Sequence, residues 1–289
     1  MRKFILALTI LLSASFLYSG CTGPRGSSVQ KIEVGDMIVG YKTSGAGYPL
    51  IMIMGFNGTM DLWDPAVLKG LSSKYRVILF DNRGMGETTA GKKEFTIDQF
   101  ADDAADLIDA LGIEKAHVLG WSMGADIALD LAVRHPDKVS KLILYAGDCG
   151  GDEAILPSQD VMNKLVSGDF HQALEVLFPE DWFSSTGNRD YIVDLFKSIS
   201  TESSPRESVQ KQAKAMEDWA GVCDRLGEIA SPTLLITGDQ DIATPTENSI
   251  MMAARIPGTW LIQLAEGGHG IMYQYPDRFS ENVQNFLRQ

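Results

Sequence analysis

The stretch HVLGWSMGADIALDLAVR, residues 117–134, decides the fold. An apolar strand signal leads into Gly120-Trp121-Ser122-Met123-Gly124, and an apolar helix signal, Ala125–Arg134, follows at once. The two glycines allow a tight strand–turn–helix connection in which larger side chains would clash. The pattern therefore predicts that the Ser122 hydroxyl stands above the end of a strand, at the N-terminus of a helix.

Strand signals on both sides of this motif alternate with helical ones, which is typical of a mostly parallel sheet covered by helices on both faces. The predicted strands are Lys31–Gly35, Met37–Lys42, Pro49–Met54, Tyr75–Phe80, His117–Gly120, Lys141–Tyr145, Thr233–Thr237 and Thr259–Leu264. The first two are expected to form a hairpin, and the others to be buried on both faces. The predicted flanking helices are Thr96–Leu111, Ala125–Arg134 and Pro276–Leu287. The sequence thus predicts an eight-stranded α/β fold.

The pattern changes between residues 150 and 225, where strand signals stop and helical ones continue. The predicted helices there are Val161–Leu165, His171–Leu177, Tyr191–Ile199 and Val209–Trp219. We therefore expect a core of residues 31–149 and 226–289 with a helical cap, 150–225, inserted between two strands. The apolar side chains of this insertion are expected either to form its own core or to line a substrate pocket.

The N-terminus carries targeting signals. Arg2 and Lys3 precede the apolar run Phe4–Tyr18, which is shorter than the roughly 20 residues that span a bilayer. Ser19-Gly20-Cys21 resembles the lipobox of prokaryotic lipoproteins, although Tyr18 occupies a position where a smaller aliphatic residue is usual.

From these features we expect a signal peptide over residues 1–20 and a Gly/Ser-rich tether over 21–30, with Cys21 acylated. The alternative is an ordinary signal peptide with Cys21 incidental. The chain is expected to be exported and anchored by lipid to the outer face of the cell membrane or in the periplasm, with no other membrane contact.

Charge and cysteine usage disfavour nucleic-acid binding and metal sites. The net charge of −13 disfavours nucleic acid, because phosphate binding needs a basic surface. Cys21, Cys149 and Cys223 lack the spacing of metal ligands, so no metal site is predicted. With Cys21 acylated, Cys149 and Cys223 form a candidate disulfide in an oxidising compartment. Two buried thiols are the alternative.

A nucleophilic serine needs a base, and the chain has four histidines. His269 lies in Glu266-Gly267-Gly268-His269-Gly270, a glycine-rich loop after the last predicted strand, from which it can reach the carboxyl edge of the sheet. His117, His135 and His171 are interpreted as packed or surface residues. His269 is the candidate base for Ser122.

The stretch Gly238-Asp239-Gln240-Asp241, with Pro245 beyond it, follows the strand Thr233–Thr237 and resembles the acid loop of the α/β-hydrolase superfamily. The resemblance covers Lys31 to Gln289 and implies an α/β-hydrolase fold with the acid at Asp241, in the order Ser…Asp…His. Asp148, after another predicted strand, is a rival, because some relatives carry the acid there. Asp239 is interpreted as an ordinary loop residue.

The same resemblance implies an oxyanion hole formed by the backbone N–H groups of Phe56 and Met123. The loop Gly55-Phe56-Asn57-Gly58 resembles the family's oxyanion loop, except that Met54 stands where the family often has histidine. The stretch 81–86, Asp-Asn-Arg-Gly-Met-Gly, also matches a family pattern and is interpreted as structural, a charge pair and glycines that shape a loop.

The expected function is hydrolysis of a carboxylic ester of a small, partly apolar molecule through an acyl-enzyme, without metal or organic cofactor. Related activities stay open: enol-lactonase, C–C hydrolase, and cofactor-free haloperoxidase or perhydrolase. A prolyl aminopeptidase would need cap carboxylates, for which Glu175, Glu180 and Asp181 are candidates. A surface-binding protein on a hydrolase scaffold is the non-enzymatic alternative. The sequence indicates no oligomeric state.

Overall fold

The computed structural model describes residues 28–167, 169–199 and 205–289. Eight strands form one sheet in the order β1-β2-β4-β3-β5-β6-β7-β8. They are β1 (Gln30–Val34), β2 (Met37–Ser44), β3 (Pro49–Ile53), β4 (Arg76–Phe80), β5 (Ala116–Trp121), β6 (Val139–Tyr145), β7 (Thr233–Gly238) and β8 (Trp260–Leu264). β2 pairs antiparallel with β1 and β4, and all other neighbours are parallel. The predicted eight-stranded α/β sheet is confirmed.

Helices cover both faces of the sheet. They are α1 (Pro65–Ser72), α2 (Ile97–Ala110), α3 (Met123–Arg134), α4 (Gln159–Val166), α5 (Phe170–Leu177), α6 (Glu180–Phe183), α7 (Thr186–Ile199), α8 (Arg206–Glu217), α9 (Thr246–Arg255), α10 (Ile271–Gln274) and α11 (Pro276–Leu287). Alternate residues of a strand point to opposite faces. Ile51 and Ile53 of β3 therefore join a buried cluster with α2 and α3, whereas Leu50 and Met52 join another with α1 and α11.

Strand β8 corrects one expectation, since the stretch Thr259–Leu264 was predicted to be buried on both faces. Trp260 is 44% exposed and Leu261 is 38% exposed. The reason is position: β8 is the last strand of the sheet and pairs only with β7, so the helices cover it incompletely. Every residue of β7, which has a neighbour on each side, is buried.

Residues 146–232, which connect β6 to β7, are called the helical segment here. Its described residues form α4 to α8 and two short 3-10 turns, with no strand. The structure joins Cys149 and Cys223 in a disulfide with a Cα–Cα distance of 5.0 Å, so the candidate bridge is present. Beside it the Val222 N–H donates to the Cys149 carbonyl at 2.7 Å. The helical segment thus leaves and re-enters the core at one covalently joined point.

The predicted signal peptide and Cys21 lie outside the described residues. Within the described ranges, none of the helices has both the length and the apolar character needed to cross a bilayer.

Candidate active site

Ser122 lies between β5 and α3 in a strained backbone conformation. Its φ is 56° and its ψ is −127°, in a region that L-residues rarely adopt. The Ser122 N–H donates to the Tyr145 carbonyl of β6 at 2.9 Å, which fixes the turn. At Gly124 a Cβ would lie 2.1 Å from the Ile53 carbonyl, so only glycine allows α3 to begin so close to β3. The predicted strand–turn–helix at Ser122 is confirmed.

His269 lies on the loop after β8, and its backbone is fixed against β5 and β6. Its carbonyl accepts hydrogen bonds from Trp121 Nε1, at 3.2 Å, and from the Tyr145 hydroxyl. Burial raises the pKa of Tyr145 well above its usual range, so this hydroxyl stays protonated and can donate. Because Trp121 directly precedes Ser122, these contacts bring His269 to the edge of the sheet that carries the serine.

Asp241 fixes the orientation of the His269 ring. His269 Nδ1 lies 2.8 Å from Asp241 Oδ2, and the Asp241 side chain is fully buried. The other carboxylate oxygen accepts the N–H groups of Ala243 and Thr244, both at 2.9 Å. A carboxylate can only accept, so Nδ1 carries the proton and Nε2 is left as the basic nitrogen. This is the arrangement that a general base requires.

The other two candidate acids lie elsewhere. Asp239 is exposed. Asp148 Oδ1 accepts the Gly150 N–H at 2.8 Å, and the Asp148 N–H donates to Asp126 Oδ1 at 3.0 Å. Burial raises the pKa of Asp148, and burial together with the charge of Asp148 raises the pKa of Asp126 well above its usual range. The structure therefore brings Asp241, and neither rival, to His269.

The remaining histidines have structural surroundings. The His117 ring lies between Tyr48 and Tyr75, with centroids 4.4 and 5.9 Å away, and burial lowers its pKa to about 4. His135 Nε2 contacts Asp102 at 2.7 Å, and His171 is exposed on α5. Among the described residues, no hydrogen bond joins any of these three side chains to Ser122.

The predicted oxyanion donors flank the serine. Met123 is the first residue of α3, and the first N–H groups of a helix have no acceptor within it. Gly55 brings the other loop against the elbow, because a Cβ on Gly55 would lie 3.1 Å from the Cβ of Ser122. Phe56, the next residue, is half-buried against the core. Both predicted donors therefore belong to backbone that adjoins Ser122.

The stretch 81–86 shapes this neighbourhood as expected, with partners that the sequence did not reveal. Asp81 Oδ1 accepts the Met60 N–H at 2.6 Å, and Asn82 Nδ2 donates to the Met54 carbonyl at 2.9 Å. The buried Arg83 binds Asp103 through two hydrogen bonds of 2.8 and 2.6 Å, and it also pairs with Asp36. Asp81 and Asn82 therefore hold the two ends of the loop that contains Phe56.

Ser122 and His269 lie on the same edge without a direct hydrogen bond between them in the described residues. In unliganded enzymes the bond between nucleophile and base is often long, and it tightens when substrate binds. A cavity of about 310 Å³ lies at the opposite end of the strands, lined by residues that include Pro49, Arg76 and Lys115. Within the described part of the chain, no group of three or more His, Cys, Asp or Glu residues could hold a metal ion.

Comparison with known proteins agrees with this geometry. Residues 48–276 match the family model described as the alpha/beta hydrolase fold. The chain belongs to the α/β-hydrolase family. It is therefore a member of a family of hydrolytic enzymes, as the sequence predicted.

Individual members of the α/β-hydrolase family align over most of the chain. A protein of Caulobacter sp. strain K31, provisionally named carbamate hydrolase RutD, is 30% identical over 244 residues, covering 82% of this chain and 90% of that protein. A 2-hydroxy-6-oxononadienedioate/2-hydroxy-6-oxononatrienedioate hydrolase of Klebsiella pneumoniae is 30% identical over 234 residues, covering 78% and 79%. The structure of a thermophilic esterase from Thermogutta terrifontis is similar with a TM-score of 0.77 and 27% identity, covering 91% and 98%.

Proposed function

We propose that the chain is a serine hydrolase that cleaves carboxylic esters of small, partly apolar molecules. The observation that carries this proposal is the buried pair of His269 and Asp241, held at the edge of the sheet where Ser122 stands in a strained turn. Nδ1 of this pair is occupied, so Nε2 is available to take the serine proton. The similarity to an esterase structure at 27% identity supports an ester as the substrate.

The proposed mechanism has two steps. Ser122 Oγ attacks the carbonyl carbon while His269 Nε2 takes its proton, and the oxyanion accepts the N–H groups of Phe56 and Met123. His269 then gives the proton to the leaving alcohol, which leaves an acyl-enzyme. A water molecule, deprotonated by His269, attacks the acyl carbon. The bond between that carbon and Ser122 Oγ then breaks, His269 returns the proton to Oγ, and the carboxylic acid leaves. Asp241 keeps the imidazole in the required tautomer throughout.

In this proposal the helical segment acts as a cap over the site. Leu174, Phe178 and Ile192 are buried in the core cluster that also contains Trp121, so these side chains belong to packing. The Leu177 carbonyl accepts the Gly270 N–H, one residue after His269, at 2.8 Å. The cap therefore contacts the loop of the proposed base directly, and only its less buried side chains are available to line a substrate pocket.

The structure argues against the aminopeptidase alternative. Glu175, Glu180 and Asp181 are exposed, and Glu175 pairs with Lys164 at 3.1 Å. An ammonium group would be held by buried carboxylates, since exposed ion pairs contribute little.

The test is a screen of p-nitrophenyl esters of increasing acyl length. The same assay includes three other substrate classes, called the other arms: an enol-lactone, a C–C substrate of the meta-cleavage type, and aminoacyl nitroanilides. We expect ester turnover and fluorophosphonate labelling in the wild type, and neither in Ser122→Ala with an unchanged melting temperature. A wild-type protein that neither labels nor turns over any arm would support the surface-binding alternative. Turnover confined to another arm would replace the ester with that substrate class.

We also propose that the chain is exported and anchored by an acyl group on Cys21. The apolar N-terminal run and the lipobox-like Ser19-Gly20-Cys21 support this, and so does the Cys149–Cys223 bridge, because disulfides persist in oxidising compartments. Labelled palmitate should enter the wild-type protein and not Cys21→Ser. Equal labelling of the two would contradict the proposal.

A further inference from the structure

Gln212 of α8 reaches from the helical segment to the predicted oxyanion loop. Its side-chain oxygen accepts the Asn57 N–H at 3.0 Å, and the residue is 0% exposed. Because a backbone N–H can only donate, the bond fixes which end of the Gln212 amide faces the loop. A buried residue 155 positions away in the sequence thus binds the backbone directly after Phe56.

The bond acts at a sensitive position in the loop. Asn57 has a φ of 57°, a left-handed conformation that costs energy for any residue other than glycine. Asp81 and Asn82 hold the two ends of the loop, at Met60 and Met54. Gln212 holds its middle, at the peptide between Phe56 and Asn57, and this peptide shares the Phe56 Cα with the preceding peptide, which carries the Phe56 N–H.

Helix α8 is itself fixed to the core. Ala215 is 2% exposed in the core cluster, and Lys211 Nζ lies 5.4 Å from the centre of the Phe95 ring. Gly84 packs against Ser208, since a Cβ at Gly84 would lie 2.7 Å from Ser208 Oγ. A side chain on a helix anchored in this way can determine the position of a loop.

The amide nitrogen of Gln212 gives a second, independent reason to connect this residue with the loop. Nε2 is buried and has no hydrogen-bond partner among the described residues. Burying an unpaired N–H is unfavourable, and an apolar side chain of the same size would fill the space without that cost. Packing therefore does not explain a glutamine at this position, whereas the contact with Asn57 does.

We infer that Gln212 is a positioning residue for the oxyanion hole: its side-chain oxygen holds the Asn57 N–H and thereby aims the N–H of Phe56 at the oxyanion. The inference rests on the proposed function. It means that the helical segment completes the catalytic machinery and does more than cover the substrate.

The test compares four variants by kcat and KM for p-nitrophenyl butyrate and by the rate of fluorophosphonate labelling. Gln212→Met keeps the size and removes the acceptor, and Gln212→Asn stays polar but is one methylene too short. Gln212→Glu retains an acceptor oxygen. Gln210→Met is the matched control, because Gln210 is exposed on the same helix.

We expect Gln212→Met and Gln212→Asn to lose about tenfold to a hundredfold in kcat and in labelling rate, with KM changed less than about threefold. Complete removal of an oxyanion donor costs roughly a hundredfold or more, and a displaced donor should cost less. Gln212→Glu should recover most of kcat, and Gln210→Met should match the wild type. If Gln212→Met does not fold, the kcat of Gln212→Asn decides whether the inference holds.

The inference is wrong if both Gln212→Met and Gln212→Asn retain kcat, if only KM rises, or if Gln212→Glu loses as much as Gln212→Met. In each of these cases the proposed function would stand, as long as the wild type hydrolyses the ester and Ser122→Ala does not. Loss of that turnover in the wild type would instead refute the proposed function.

Discussion

Asp241 and Asp148 follow neighbouring parallel strands, β7 and β6, yet they have different partners. Each carboxylate accepts backbone N–H groups from the residues just after it. Asp241 then meets the imidazole of His269, whereas Asp148 lies beside the carboxyl group of Asp126. Two aspartates at equivalent strand ends thus face different groups, an imidazole in one case and a second carboxyl group in the other.

The difference follows from which element adjoins each strand. β7 pairs with β8, and the loop after β8 carries His269 over the end of β7. β6 pairs with β5, from which α3 begins and places Asp126 against the backbone of Asp148. In addition, the Tyr145 hydroxyl of β6 donates to the carbonyl of His269 and not to its ring, so the ring can pair with Asp241. Sheet topology therefore determines which aspartate can act as the acid.

The largest effect is expected at Asp241. Asp241→Asn keeps the size and removes the charge, so the imidazole can adopt the wrong tautomer and loses the group that stabilises its cation. We expect kcat for an ester substrate to fall roughly 10³- to 10⁴-fold, with little change in melting temperature. Steady-state kinetics of the purified variant would check it, and a loss below tenfold would remove Asp241 from the mechanism.

A much smaller effect is expected at Asp148. Asp148→Asn retains an oxygen that can accept the Gly150 N–H, and within the described residues Asp148 has no hydrogen bond with Ser122 or His269. We expect kcat to change less than about fivefold. If Asp148→Asn were more damaging than Asp241→Asn in the same assay, the acid would have to be placed after β6.

The sequence predicted Asp241 over Asp148 because the acid loop that contains Asp241 has a family pattern. It also predicted all eight strands, the first two as a hairpin and the other six from largely continuous apolar runs. The helices α1 and α9 were not singled out, because they have only eight and ten residues and a helical period repeats fewer than three times in that length.

Contacts between distant elements could not be predicted. Gln212 sits in a polar helix, and nothing in its neighbours indicates which loop it meets. Asp126 interrupts an apolar helix as an ordinary polar residue would, and its approach to Asp148 depends on the packing of α3 against β6. Arg83 likewise was expected to form a charge pair, but its partners Asp103 and Asp36 come from other elements. Such pairings arise from tertiary packing, which a local pattern does not encode.

The smallest effect is expected at Asp126, and it concerns stability. Because burial and the facing Asp148 raise the pKa of Asp126 in the folded protein, the folded chain binds this proton more tightly than the unfolded chain. Stability is therefore lost as pH rises from the ordinary pKa of 3.8 towards the raised one, and it is not regained above that. Asp126→Asn can still accept the Asp148 N–H and has no charge to bury.

The variant should melt a few degrees higher than the wild type at pH 8, since about 1 kcal/mol shifts the melting temperature of a domain of this size by roughly 2–4 °C. The difference should shrink towards pH 4, where the unfolded carboxyl group is also largely protonated. Asp152→Asn, at an exposed position, should show no such pH dependence. A difference between Asp126→Asn and the wild type that is equal at both pH values would mean that the pKa of Asp126 is not raised in the folded protein, which would contradict this prediction.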